Sequence, residues 1–244
     1  MTSELLFTYP PLQSGILLKR YKRFFADIEL DSGEVITAHC PNTGPMTGIS
    51  TPGSRVQVSY NDNPKRKLRY TWEMIEVNDT VPTWVGVNTN LPNRIVKLAL
   101  EKRLFPELGE YSAIKPEVKY GKENKSRIDF VLTRENAKPI YIEVKSTTWA
   151  LGNLVLFPDT VTTRGQKHLE ELMGLSDSAR SIMLFFINRG DCLTFAPGDS
   201  ADTLYGELLR KAVSQGVEVL AYRFEITPQG IRYLGLAEFL SMQP

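Results

Sequence analysis

The chain has 244 residues, 42% hydrophobic and 23% charged, which is enough to bury the core of one large domain or two ordinary ones. A formal net charge of +1 does not announce a nucleic-acid binder, so such a partner has to be argued from local clusters. The first 11 residues lack a basic segment followed by a long apolar run, and no stretch reaches the roughly 18 apolar residues of a membrane span. Cys40 and Cys192 have neither metal-ligand spacing nor the density of a disulfide scaffold. The expectation is a cytoplasmic protein with two reduced structural thiols and no membrane segment.

The first third reads as strands. Residues 16–21, 24–30, 35–39, 55–60 and 69–77 are short runs rich in β-branched and aromatic residues, with turn residues between them. Asp31-Ser32-Gly33 marks a hairpin, and Pro52-Gly53 punctuates a later junction. About five strands without an intervening helix suggest a small barrel or sandwich, and an OB-like barrel fits the size. The pattern changes near Thr89. A helix is expected from Asn90 to about Leu104, then strands over 114–120, 127–133 and 140–146, a helix over 163–174, a strand over 181–188, a helix over 203–215 and a strand over 217–226. That order describes an α/β layered domain. We place the domains at 1–82 and 83–244, and the segment from Thr83 onward is expected to fold alone.

Two of these strands carry the chemistry. Alternation puts Ile128, Phe130 and Leu132 on one face of the first and Arg127, Asp129 and Val131 on the other. In the second, Ile142 and Val144 share a face opposite Tyr141, Glu143 and Lys145. A hairpin centred near Asn136 sets Asp129 opposite Glu143. Two facing carboxylates repel one another. Lys145 on the same face, or a hard cation such as Mg²⁺ or Mn²⁺, offsets that repulsion. With Lys145 beside such an ion, Asp129 and Glu143 form a set suited to phosphodiester hydrolysis. An isolated Glu-x-Lys on a strand is usually only a solvated face; the opposed Asp129 and the helix–strand order argue against that here.

Several blocks resemble the sugar fermentation stimulation protein A (SfsA) family. They are Arg20-Tyr-Lys-Arg-Phe24, His39-Cys-Pro-Asn-Thr-Gly44 with Met46 and Gly48, Glu117-Val-Lys-Tyr-Gly121, Ser126-Arg-Ile-Asp-Phe130, Tyr141-Ile-Glu-Val-Lys-Ser146, Phe157-Pro-Asp159 and Arg164-Gly-Gln-Lys-His-Leu169. The resemblance runs in order over nearly the whole chain. It implies an N-terminal OB-like domain, a C-terminal domain related to PD-(D/E)XK nucleases, and DNA binding as the general activity. By position it makes Asp129 and Glu143 the metal carboxylates and Lys145 the motif lysine. One departure stands out: relatives commonly carry a Glu where this chain has Leu98, and Glu101 lies nearly a turn later.

The remaining marked residues are basic. Arg20, Lys22 and Arg23 form one cluster and Lys65, Arg66 and Lys67 another, both among aromatics in the β-domain, as backbone tracking with base stacking would use. The alternative is a solvated face over core aromatics. The Pro41-Asn-Thr-Gly44 run reads as a constrained turn with backbone N–H groups for a phosphate, or as a purely structural one. Thr162 or Thr163 is a candidate N-cap for the helix that follows, making Arg164 and Lys167 phosphate-contact candidates and Gln166 a supporting residue behind the site. The leading expectation is therefore a DNA-binding protein with a divalent-metal nuclease centre. A non-catalytic DNA-binding regulator is the alternative, and an RNA-binding or adaptor protein with a vestigial acidic pair is the third. A homo-oligomer is compatible with the sequence, which does not fix the oligomeric state.

Overall fold

The computed structural model describes residues 4–79, 81–121, 126–175 and 177–241, so residues 1–3 of the N-terminal stretch read above lie outside the described residues. A two-residue strand, β1 (Phe7–Thr8), precedes five strands of a barrel: β2 (Leu12–Tyr21), β3 (Phe25–Leu30), β4 (Val35–His39), β5 (Arg55–Tyr60) and β6 (Tyr70–Asn78). They run in the order β4-β3-β2-β5-β6. A short parallel pairing of Ala38 with Tyr70 and His39 with Thr71 brings β4 to β6 and closes the ring. A three-strand meander whose first strand pairs the fourth and whose third pairs the fifth is OB connectivity. Register shifts at Leu17/Lys19 and Gln57/Val58 supply the local bending that closure needs. Leu17, Ile28, Val56, Val58 and Trp72 fill the interior, all with no exposed area.

Strand β7 (Pro82–Gly86) continues from the barrel, antiparallel to β6. Then come α1 (Leu91–Glu101), β8 (Ala113–Tyr120), β9 (Ser126–Thr133), β10 (Ile140–Thr147), β11 (Ala150–Leu151), β12 (Leu154–Phe157) and α2 (Thr163–Met173). The chain finishes with β13 (Arg180–Ile187), β14 (Thr194–Pro197), α3 (Thr203–Ser214), β15 (Glu218–Thr227), β16 (Gly230–Leu236) and β17 (Glu238–Phe239). A mixed sheet runs β8-β9-β10-β13-β15, antiparallel up to β10 and parallel from β10 to β15. Strands β11, β12, β14 and β17 make a second small sheet. The first face of the main sheet is covered by Ile95, Val96, Ala99 and Leu100 of α1. The second is covered by Leu169 and Leu172 of α2 with Tyr205 and Leu209 of α3. Strand β13, buried on both faces, is accordingly a continuous apolar run, Ile182 to Ile187. Among the described residues no helix is long and apolar enough to cross a membrane.

Three features depart from the sequence reading. Strands β1, β7, β11, β12, β14, β16 and β17 were not anticipated. The chain before residue 82 is not all barrel either. Phe7 pairs with Ile231 of β16, and Leu6, Phe7 and Tyr9 lie in the α1-side core of the C-terminal unit. Finally, the alternation in β9 fails at Asp129. Ile128 packs with Val131 in the α2-side core, whereas Phe130 and Leu132 pack on the α1 side. The partner strand is irregular at the same place: pairing of β8 with β9 is interrupted where Glu117 faces Asp129, and Glu117 takes a left-handed φ of 56°.

Candidate metal and nucleic-acid site

The hairpin register is the one expected from a turn centred at Asn136, which is left-handed (φ 55°): Ile140 pairs with Leu132, Tyr141 with Val131, and Ile142 with Phe130. The next pair would be Glu143 with Asp129, and there the ladder stops. The Val144 amide donates instead to Asp129 Oδ2 at 2.7 Å. The Asp129 side chain thus stands in for a backbone acceptor, and β9 parts from β10 at the residues that matter. Its other oxygen accepts from Asn93 Nδ2 at 2.7 Å, presented by the first turn of α1. Burial, followed by the charge of Glu143, pushes the Asp129 carboxyl up to about 6.

Glu143 is only 4% exposed. Lys145 Nζ donates to its Oε1 at 2.8 Å, and His168 Nδ1 contacts the same oxygen. Oε2 is buried with no hydrogen-bond partner. Burial acts to raise the Glu143 carboxyl, but the His168 hydrogen bond and the Lys145 charge together hold it below the ordinary value. Lys145 Nζ lies 3.1 Å from His168 Nδ1, and Arg164 Nε lies 3.4 Å from His168 Nε2. Helix α2 delivers this group. Thr162 caps it by accepting from the Gly165 amide at 3.1 Å, and Gly165, His168, Leu169 and Leu172 form its buried stripe. A Cβ at Gly165 would meet the Thr162 side chain at 2.7 Å and the Tyr205 ring at 3.1 Å, so only glycine lets α2 approach α3 this closely.

The other predicted residues are distributed unevenly. Lys167 is half exposed, donating to Ser126 Oγ at 3.0 Å and paired with Glu171 at 3.4 Å. Gln166 turns away from the acids and donates to both oxygens of Asp202 at 3.0 Å, the residue that caps α3. Arg20 is committed to the carbonyls of Asn42 (3.0 Å) and Gly44 (2.8 Å), and Arg23 to that of Thr43 (2.8 Å). These two arginines therefore hold the Pro41-Asn-Thr-Gly44 turn, whose Gly44 amide is already donated to Asn42 Oδ1 at 2.9 Å. Lys22, Lys65 and Lys67 are exposed, and Arg66 donates to Thr71 Oγ1 at 2.9 Å. A polar cleft of about 90 Å³ lies between that turn and the end of β10, lined by Asn42, Thr89, Ser146, Thr148, Trp149 and Asp159.

Leu98 packs against the α1-side core, and Glu101 faces solvent in an i,i+4 pair with Lys97 at 3.6 Å. The residue that α1 turns to Asp129 is Asn93. Among the described residues no group of three or more His, Cys, Asp or Glu side chains is gathered as for a metal ion. Sequence reasoning missed Asn93 and His168 as site residues. Asn93 gave no signal, while His168 stood in the Arg164-Gly-Gln-Lys-His-Leu169 run, four residues after Arg164.

An OB barrel joined to a mixed sheet between helices, with two acids and a lysine where two strands part, defines a restriction-endonuclease-like protein with an appended OB domain. Residues 18–87 match the model of the SfsA N-terminal OB domain, and residues 90–230 that of the sugar fermentation stimulation protein RE domain. The chain belongs to the SfsA family. It is 67% identical over 238 residues to a sugar fermentation stimulation protein homolog of Cyanothece sp., covering 98% of this chain and 99% of that one. It is 68% identical over 236 residues to the homolog of Trichormus variabilis, covering 96% and 98%. The solved structure of Pyrococcus furiosus SfsA in complex with Ca²⁺ superposes with a TM-score of 0.86 at 27% identity, covering 98% of this chain and 100% of that one.

Proposed function

We propose that this chain binds DNA and cleaves its phosphodiesters in a Mg²⁺- or Mn²⁺-dependent reaction, with Asp129 and Glu143 holding the ion and Lys145 assisting the chemistry. The observation that carries this reading is the buried, unpartnered Oε2 of Glu143 beside a second carboxylate. A buried polar atom left unpaired costs about 1–3 kcal/mol, and more when charged, so this oxygen calls for a cation. Mg²⁺ is commonly held by one or two carboxylates, with waters and substrate phosphates completing the shell, which fits a pair of acids without a third. That the Pyrococcus furiosus relative was solved in complex with Ca²⁺ supports a divalent-ion partner here as well. The bound ion would supply Lewis acidity toward phosphate oxygens. Lys145, its ammonium anchored on Glu143, holds a proton donor and a positive charge where charge develops on the phosphate. Exposed Lys22, Lys65, Lys67, Arg164 and Lys167 supply the phosphate contacts.

The test pairs plasmid nicking in Mg²⁺, Mn²⁺ or EDTA with DNA affinity in EDTA, on the wild type, Asp129→Asn and Lys145→Ala. Asp129→Asn should abolish nicking and leave metal-free affinity equal or slightly tighter, because it removes a charge that repels phosphate. Lys145→Ala should lose nicking and bind somewhat more weakly. Nicking that survives Asp129→Asn would sink the assignment. A second reading, a non-catalytic DNA-binding regulator, is favoured by α1, which turns the Asn93 amide to Asp129 and packs Leu98 into the core and so brings no carboxylate to the pair. It predicts DNA affinity without nicking in either metal.

A further inference from the structure

We infer that His168 is the positioning residue that makes Glu143 a one-sided ligand, holding Oε1 so that Oε2 alone is presented to a divalent cation. This rests on the metal site proposed above and assigns that site a residue from α2. The proton on His168 can be placed from its neighbours. Arg164 Nε, 3.4 Å from Nε2, can only donate, which leaves Nε2 as the acceptor and puts the proton on Nδ1. Nδ1–H then donates to Glu143 Oε1, and the Lys145 ammonium 3.1 Å away donates to the same oxygen rather than to the ring. Two donors thus converge on Oε1, while Oε2, buried, has none. Asp129 is arranged differently, with one donor on each oxygen. The imidazole is itself fixed, being 4% exposed on the buried stripe of a capped helix, so it can set the rotation of the carboxylate. Groups that orient a ligating carboxylate in this way typically govern metal affinity without touching the metal.

The competing explanation is that His168 merely fills space, and Ca²⁺ titration calorimetry on the full chain separates the two. The variants are His168→Leu, which keeps bulk and loses the donor, and His168→Asn, whose amide N–H lies near the Nδ1 position. His168→Leu should weaken Ca²⁺ binding about 10- to 100-fold, and His168→Asn should restore it to within about threefold of wild type. Circular dichroism checks folding; should the leucine variant not fold, His168→Gln, with its amide near Nε2 instead, carries the same expected loss. Wild-type affinity in the leucine or glutamine variant overturns the inference, as does an asparagine variant as weak as either. Absence of Ca²⁺ binding by the wild type overturns the metal site itself and the inference with it. Wild-type uptake that His168→Leu leaves unchanged overturns the inference alone.

Discussion

At the scale of single residues the molecule keeps several buried charges, and each is held differently. Arg189, 1% exposed, donates to Asp79 and Asp191 at 2.7 Å and so ties the end of the barrel to the end of β13. Glu73, on β6, is poorer served. Burial raises its carboxyl by more than the hydrogen bonds from Ser59 and Asn88 and the charge of Arg66 lower it. A raised carboxyl favours the native state while protonated. That stability is complete below the ordinary value of 4.5 and is lost as pH rises through the higher folded value. Glu73→Gln keeps an acceptor for Asn88 and has no charge to bury, so it should be more stable than wild type at about pH 8 and closer to it at about pH 5. Urea denaturation at the two pH values measures this, and a variant less stable at both would contradict it.

At the scale of elements, the joint between α2 and α3 is concentrated in one side chain. Asp202 caps α3 through the Tyr205 amide at 3.0 Å, accepts from the Thr162 amide at 2.8 Å, and takes both contacts from Gln166. Asp202→Ala removes a cap and orphans buried donors, so it should cost about 2 kcal/mol or more by urea denaturation, against about 1 kcal/mol for an ordinary cap. A loss under about 0.5 kcal/mol would mean the joint is held elsewhere. Elements of this kind were legible where periodicity runs long: the three helices, the five barrel strands, and β8, β9, β10, β13 and β15. The strands missed are mostly two to five residues long, and β7 opens on Pro82 while β14 closes on Pro197, so no pattern of useful length exists in them. In the site, the two-residue alternation of β10 made Glu143 and Lys145 legible as neighbours on one face. Asn93 and His168 come from separate helices and meet the acids only through tertiary packing. The break in β9 was invisible because it coincides with a left-handed Glu117 on a neighbouring strand and with a side-chain bond from the Val144 amide, neither of which a single strand's pattern carries.

At the scale of the whole molecule, the DNA binding proposed above should be mainly electrostatic. Each phosphate contact should contribute about 0.7–0.9 to the slope of log affinity against log salt, and neutralising Lys65, Arg66 and Lys67 together should flatten that slope by roughly 2. An unchanged slope would remove that cluster from the interface. The segment from Thr83 onward, expected from the sequence to fold alone, lacks the strand that covers β16 and the apolar contacts of Leu6, Phe7 and Tyr9. Phe7, stacked under the Arg94 guanidinium at 4.8 Å and edge-on to Tyr9 at 5.2 Å, contributes most visibly. Phe7→Ala in the full chain should cost about 3 kcal/mol, and a melting curve no different from wild type would show the strand to be dispensable. The same strand has a consequence for synthesis. Its partner, β16, follows the whole barrel and most of the second unit, while the barrel strands after β1 find their partners among near neighbours. As the chain emerges from the ribosome the barrel can close early, because domains form largely in order of their synthesis. Leu6, Phe7 and Tyr9, apolar and without their partner until β16 is made, are a segment that a nascent chain offers to chaperones through the synthesis of everything between.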